Sequence, residues 1–163
     1  ESFPETNVLI NNVGAYLIQS SLNTSVEEWH GLFHTNLHAP FEIIQALTPA
    51  LKKSKGNIIN IGCVGVESTQ ADTYSSAYMI SKQALLMLTK SVALELAPSG
   101  VRVNMLSPGH LEHSVDLPKD LSVIPVGRAA KSDDLTRVVT FLLDEENSYI
   151  TGQNIDVAGG LRL

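Results

Sequence analysis

The sequence predicts an α/β fold: a Rossmann-like, doubly wound parallel sheet with helices on both faces, a three-layer α/β/α arrangement. Two observations predict it. Short apolar runs at 8–10, 57–61 and 101–106 are each closed by turn residues, the pattern of strands buried on both faces. Between them lie helical patterns long enough for crossovers, which parallel neighbours require and hairpins do not.

The elements follow in order. Val8-Leu9-Ile10 is a strand closed by Asn11-Asn12-Val13-Gly14. Ser25-Val26-Glu27-Glu28 has the form of a capping box and announces a helix. Trp29, Phe33, Leu37, Phe41, Ile44 and Leu47 continue it, with a break or kink expected near Pro40. Lys52-Lys53-Ser54-Lys55-Gly56 supplies the basic residues and glycine that favour a helix end.

The strand at 57–61 leads into a loop at 62–73 and an amphipathic helix at 74–97, stopped by Pro98-Ser99-Gly100. Ala77, Ala84, Leu88 and Val92 are read as that helix's core face. The strand at 101–106 closes with Ser107-Pro108-Gly109, and an irregular segment at 110–130 carries Pro118 and Pro125. Ser132-Asp133-Asp134 is read as the cap of a helix running to Leu143. Ile155-Asp156-Val157 is a last strand before Gly159-Gly160.

One domain at 1–163 accommodates all of this. With 44% hydrophobic and 17% charged residues the composition is that of a soluble globular protein. The formal net charge is -6, and no basic stripe is present to hold nucleic acid. A lone cysteine, Cys63, forms no intrachain disulfide, which fits a reducing, cytoplasmic setting. No apolar run approaches the roughly 20 residues of a membrane span.

In such sheets ligands sit outside the carboxyl ends of the strands. The sequence places Asn12, Gly14, Gly62, Cys63, Pro108 and Gly109 there. Tyr78 and Lys82 begin the helix that follows the second of these ends. Residues at i and i+4 share a helix face, so the phenol and ammonium can meet, and a nearby cation lowers a phenol's pKa. A phenol so tuned serves as general acid to a carbonyl or general base to an alcohol. His30, His34 and His38 share the same spacing, but no carboxylate or cysteine is placed to complete a metal site. They are read as a solvated or subunit-facing stripe.

Taken together, these residues resemble the short-chain dehydrogenase/reductase family, over nearly the whole chain. Asn11-Asn12-Val13-Gly14 is similar to its Asn-Asn-Ala-Gly segment, and Tyr78-Met79-Ile80-Ser81-Lys82 to Tyr-x-x-x-Lys. Asn36 resembles the helix asparagine that helps hold a proton-relay water. Pro108-Gly109 resembles the turn against the nicotinamide, and 156–160 the closing strand. The resemblance implies hydride transfer between NADP or NAD and a carbonyl or alcohol carbon. Tyr78 is then the proton donor, and Lys82 lowers its pKa and binds the nicotinamide ribose. Asn12, Gly14, Pro108 and Gly109 line the cofactor. The substrates implied are 3-oxoacyl thioesters, small ketones or alcohols, or pterins. Pairing of the two long helices implies a homo-oligomer, a dimer or tetramer.

Two departures stand out. Cys63 occupies the position of the serine that orients the substrate oxygen, and a thiol is a weak donor. The glycine-rich pyrophosphate turn and the strands around it have no counterpart here, so the chain matches about the C-terminal two-thirds of a member. A truncated, cleaved or partly ordered product is expected, with little cofactor binding and negligible activity, and an apolar sheet edge at 8–11 left bare unless a partner chain covers it. The rival reading is a catalytically silent scaffold or interaction protein of the same fold.

Overall fold

The computed structural model describes residues 5–163. Four strands form one parallel sheet in the order β1-β2-β3-β4: Val8–Asn11, Asn57–Ile61, Arg102–Pro108 and Asn154–Val157. The register sets Ile10 against Ile59 and Ile59 against Asn104.

Alternation along β2 fills two separate cores. Ile58 and Val103 pack with Ile44 and Leu51 of helix α2 (Ala39–Ser54) and Ala93 and Leu96 of helix α3 (Ser76–Leu96). Ile59 and Leu106 pack on the other face, against Leu142 of helix α4 (Ser132–Leu143). The sheet therefore has helices on both faces, as the sequence predicts. Each fully buried isoleucine contributes about 1.5–3 kcal/mol.

Helix α1 (Val26–Phe33) starts with the expected capping box: Ser25 Oγ accepts from Glu28 N at 3.2 Å and Ser25 N donates to Glu28 Oε2 at 2.9 Å. The expected break at Pro40 takes another form. The ladder widens into a π-turn over His34–His38, where the Ala39 N–H reaches back to His34 O. Pro40 lacks the N–H that an α-helix would aim at Asn36 O, so the irregularity falls before the proline and α2 continues past it. At the far end Lys55, not Gly56, takes the left-handed conformation, with φ 51°.

Two further expectations are refined. The most buried apolar residues of α3 are Ala77, Met79, Leu85, Leu86, Ala93 and Leu96, while Leu88 and Val92 are half-buried and pack against the core clusters and Ala84 is half-buried. Helix α4 begins at Ser132 with Lys131 as its cap residue, because Asp134 Oδ2 accepts from Lys131 N at 2.8 Å.

Candidate active site

The carboxyl ends of β1, β2 and β3 converge on the first turns of α3. Tyr78 and Lys82 share one face there, with Lys82 Nζ 5.8 Å from the Tyr78 ring centre. Lys82 is 4% exposed, and its ammonium donates to Ile61 O at 2.8 Å, at the end of β2. One of its three donors is thereby engaged and two are left for a ligand.

Asn36 is fully buried and fixes this corner. Its Nδ2 donates to Ala15 O at 3.0 Å and to Ser81 Oγ at 2.9 Å, while its Oδ1 accepts from Ala15 N at 2.8 Å. Ser81 Oγ in turn donates to Tyr78 O at 2.7 Å. The side chain of Asn36 thus ties the loop after β1 to the helix carrying Tyr78. Gly14 lies in the same corner: a Cβ there would stand 3.3 Å from Lys82 Nζ and 3.4 Å from Asn36 Oδ1. That close backbone approach leaves the ammonium facing an open shelf formed by exposed Asn12 and Gly14.

Tyr78 faces a cavity of about 330 Å³, lined also by Cys63, Pro108, Gly109, Tyr16, His110, Asp116 and Arg162. Cys63 Sγ lies 3.9 Å from Met79 Sδ, and burial pushes the thiol up to about 11, with Lys82 and Tyr78 opposing the rise. Gly109 N donates to Val157 O at 3.1 Å, seating the turn after β3 against β4. Cys63, Tyr78, Pro108 and Gly109 thus line one cavity, and Gly14, Asn36 and Lys82 meet in one corner.

The tuning of Tyr78 differs from expectation. Burial holds the phenol well above its ordinary range, and Cys63, Tyr16 and Asp116 add to the rise. Lys82 does not reverse this, because its ammonium is turned to the Ile61 carbonyl and burial draws its own pKa down. In this state the phenol is a firmly protonated acid.

Sequence reasoning missed Tyr16 and Arg162 as members of the site, and placed His110 only within a segment at the position of the substrate lid. Tyr16 meets Tyr78 edge to face, ring centres 4.7 Å apart, and its hydroxyl donates to Asp116 Oδ2 at 2.8 Å. Asp116 Oδ1 lies 3.5 Å from His110 Nδ1. The available signal was position alone: Tyr16 sits two residues past Gly14, and His110 follows the Pro108-Gly109 turn. The His34 and His38 rings stand 6.3 Å apart, and among the described residues no group of three histidine, cysteine or acidic side chains is arranged to hold a metal ion.

A parallel sheet with a buried lysine, a cavity-facing tyrosine and a small-residue shelf at its carboxyl ends is a ligand-binding α/β arrangement, and it agrees with the resemblance to nicotinamide-dependent oxidoreductases. A family model described as enoyl-(acyl carrier protein) reductase matches residues 1–162. The chain belongs to the short-chain dehydrogenase/reductase family, whose members are NAD(P)-dependent oxidoreductases. It is 33% identical over 170 residues to the 3-oxoacyl-(acyl-carrier-protein) reductase FabG of Thermotoga maritima, covering 99% of this chain and 68% of that one. It is 32% identical to the trans-4-hydroxycyclohexanecarboxylate dehydrogenase of Sinomonas cyclohexanicum, covering 98% of this chain and 62% of that one. Among solved structures, a short-chain dehydrogenase/reductase of unknown function from Caenorhabditis elegans, with cofactor, superposes with a TM-score of 0.86 at 32% identity, covering 96% of this chain and 65% of that one. A 4-hydroxyisoleucine dehydrogenase complexed with NADH gives 0.84 at 28% identity, covering 96% and 70%. The chain spans 60 to 68% of the length of the curated relatives it matches. No helix among the described residues is long and apolar enough to cross a membrane.

Proposed function

We propose that the full-length protein transfers a hydride between NADP or NAD and a carbonyl or alcohol carbon of a small molecule, and that Tyr78 exchanges the accompanying proton. The observation that carries this reading is the position of Tyr78, its face open to the cavity and its back against Lys82, 4% exposed. The residues fit a nicotinamide cofactor. The two free donors of Lys82 suit vicinal ribose hydroxyls, and the shelf at Asn12 and Gly14 together with Pro108-Gly109 suits a flat ring. When bound, the cofactor supplies the hydride.

The chain's own residues do the rest. Tyr78 holds its proton at the phenol oxygen and gives it to the developing alkoxide, which favours reduction at neutral pH. Lys82 would hold the ribose and, 5.8 Å from the Tyr78 ring centre, would present positive charge as the phenol's proton leaves. Asn36 holds Tyr78 in place through Ser81 and keeps the loop after β1 closed on the site. Cys63 lies where a hydroxyl would steady the substrate oxygen and offers only a weak donor.

Among the described residues no glycine-rich turn stands on the shelf to grip a pyrophosphate. The 163-residue chain is therefore expected to bind cofactor weakly and turn over negligibly. A homo-oligomer, dimer or tetramer, is supported by the half-buried row Ala84, Leu88 and Val92 on α3 and by Phe41 on α2, 46% exposed. A cytoplasmic setting is supported by the buried free thiol of Cys63.

The experiment is a pair of measurements on the full-length protein. Titration with NADPH and NADH should give saturable binding, and Tyr78→Phe should keep that affinity while losing turnover by about 100- to 10,000-fold. Turnover retained by Tyr78→Phe would end the proposed role of the phenol. Absence of binding by the intact protein would favour the silent-scaffold reading.

A further inference from the structure

The substrate cavity holds one positive charge that the hydride-transfer chemistry does not use. Arg162 lines it together with Tyr78 and also lines the adjoining cavity of about 520 Å³ beside Gly65, Ser68 and Asp72. The residue is exposed, and its side chain makes no ion pair among the described residues.

The backbone is shaped to deliver it. Arg162 takes φ 63°, a left-handed conformation that few non-glycine residues adopt. Strain of this kind persists where surrounding structure enforces it, and it concentrates at ligand sites. Gly65, at φ 81°, gives the arginine stem its channel, since a Cβ there would lie 2.7 Å from Arg162 Cδ and 2.8 Å from Nη1.

The carboxylates in and around the two cavities are hydrogen-bonded to neighbouring groups. Asp116 accepts from Tyr16 on one oxygen and faces His110 with the other. Asp72 accepts from Tyr74 N, Ser75 N and Ser75 Oγ. Asp156 accepts from Asn154 Nδ2. His110 and His113 add no negative charge. Arg162 is the one lysine or arginine among the described residues lining the Tyr78 cavity, and its guanidinium lowers the pKa of both Cys63 and Asp72.

We propose, building on the hydride-transfer reading, that Arg162 selects substrates bearing a carboxylate, holding that group while the carbonyl lies at Tyr78. A guanidinium fork meets a carboxylate with two parallel N–H···O bonds, which fixes orientation as well as charge.

The test uses the full-length protein and three oxo acids, pyruvate, acetoacetate and levulinate, each beside its methyl ester. Binding is read by ligand-observed NMR and turnover by nicotinamide absorbance. For at least one acid, binding should be about tenfold tighter than for its ester. Arg162→Gln should erase that preference while ester affinity stays, and Arg162→Lys should restore part of it. In turnover the loss should appear in KM rather than kcat. Equal binding of acid and ester in the unaltered protein, binding of neither, or a preference that survives Arg162→Gln overturns the proposal. A preserved acid preference with no turnover of any compound would sink the hydride-transfer reading and leave the role of Arg162 supported.

Discussion

The Cys63 thiol lies between Met79 Sδ and the Tyr78 phenol, and its pKa of about 11 follows from burial. Against an ordinary thiol pKa of about 9, the thiolate fraction near pH 8 falls about a hundredfold. Iodoacetamide should therefore label Cys63 about a hundred times more slowly than a free thiol, with the rate climbing towards pH 11. Labelling at the free-thiol rate would show the thiol to be exposed or ionised. Because the folded pKa is raised, this group's contribution to stability is complete below about pH 9 and is lost as pH rises towards 11. In the full-length protein, Cys63→Ser places a full hydroxyl donor beside Tyr78 and should raise kcat for reduction by about tenfold. Unchanged kcat would show that another group already steadies the substrate oxygen. Tyr78 yields a pH prediction of its own. Its raised pKa leaves reduction supplied with a proton at neutral pH, whereas alcohol oxidation needs the phenolate. Oxidation should accelerate with rising pH while reduction stays flat through neutrality, read from the two pH–rate profiles.

The elements are joined to one another by a few buried polar groups. Arg102, 7% exposed, extends from β3 to the C-terminal carbonyls of α4, donating to Leu142 O, to Leu143 O at 3.3 Å and to Asp144 O at 3.1 Å. It satisfies orphan carbonyls and places a cation at the negative end of the helix. Arg102→Met should destabilise the fold by about 2–4 kcal/mol, seen as a lower denaturant midpoint. A midpoint shift below about 0.5 kcal/mol would mean that water caps α4 equally well. A second tie runs from Asn11 Nδ2 to Asn60 Oδ1 at 2.7 Å, then from Asn60 Nδ2 to Thr89 Oγ1 at 2.8 Å, joining β1, β2 and α3 inside the core. The strands and helices were legible in the sequence because buried parallel strands and capping boxes leave local patterns. These ties were not, since they join residues 29 to 49 positions apart and a lone asparagine in an apolar run gives no partner. The site divides in the same way. Tyr78 and Lys82 were legible from spacing, while Tyr16 and Arg162 enter the cavity through the fold. The direction of the Tyr78 shift also lay beyond the sequence, because charge spacing is local and desolvation is not.

At the scale of the molecule the sheet is unevenly covered. On one face Leu9 packs against the cluster of α2 and α3, so β1 is covered there. On the other, α4 covers Ile59 and Leu106, but Val8 and Ile10 stand 41% and 43% exposed. Since Ile10 pairs with Ile59, the bare patch continues the α4-side core outward to the sheet edge. Two surfaces are therefore open together, an apolar face and a row of strand hydrogen-bonding groups, and each favours association with another chain. Two relatives with 62% and 68% of their length matched have further chain with which to cover such a patch. The prediction concerns the 163-residue chain on its own. It should bind an environment-sensitive apolar dye and lose solubility as concentration rises. Val8→Thr combined with Ile10→Lys should reduce both, because a lysine on an edge strand blocks pairing and the patch loses its apolar centre. The α2 and α3 surfaces are untouched by these substitutions, so a dimer or tetramer formed there should persist in sedimentation while the larger aggregates disappear. Dye binding and precipitation unchanged in the double variant would place the adhesive surface elsewhere and show that the edge at β1 is already protected.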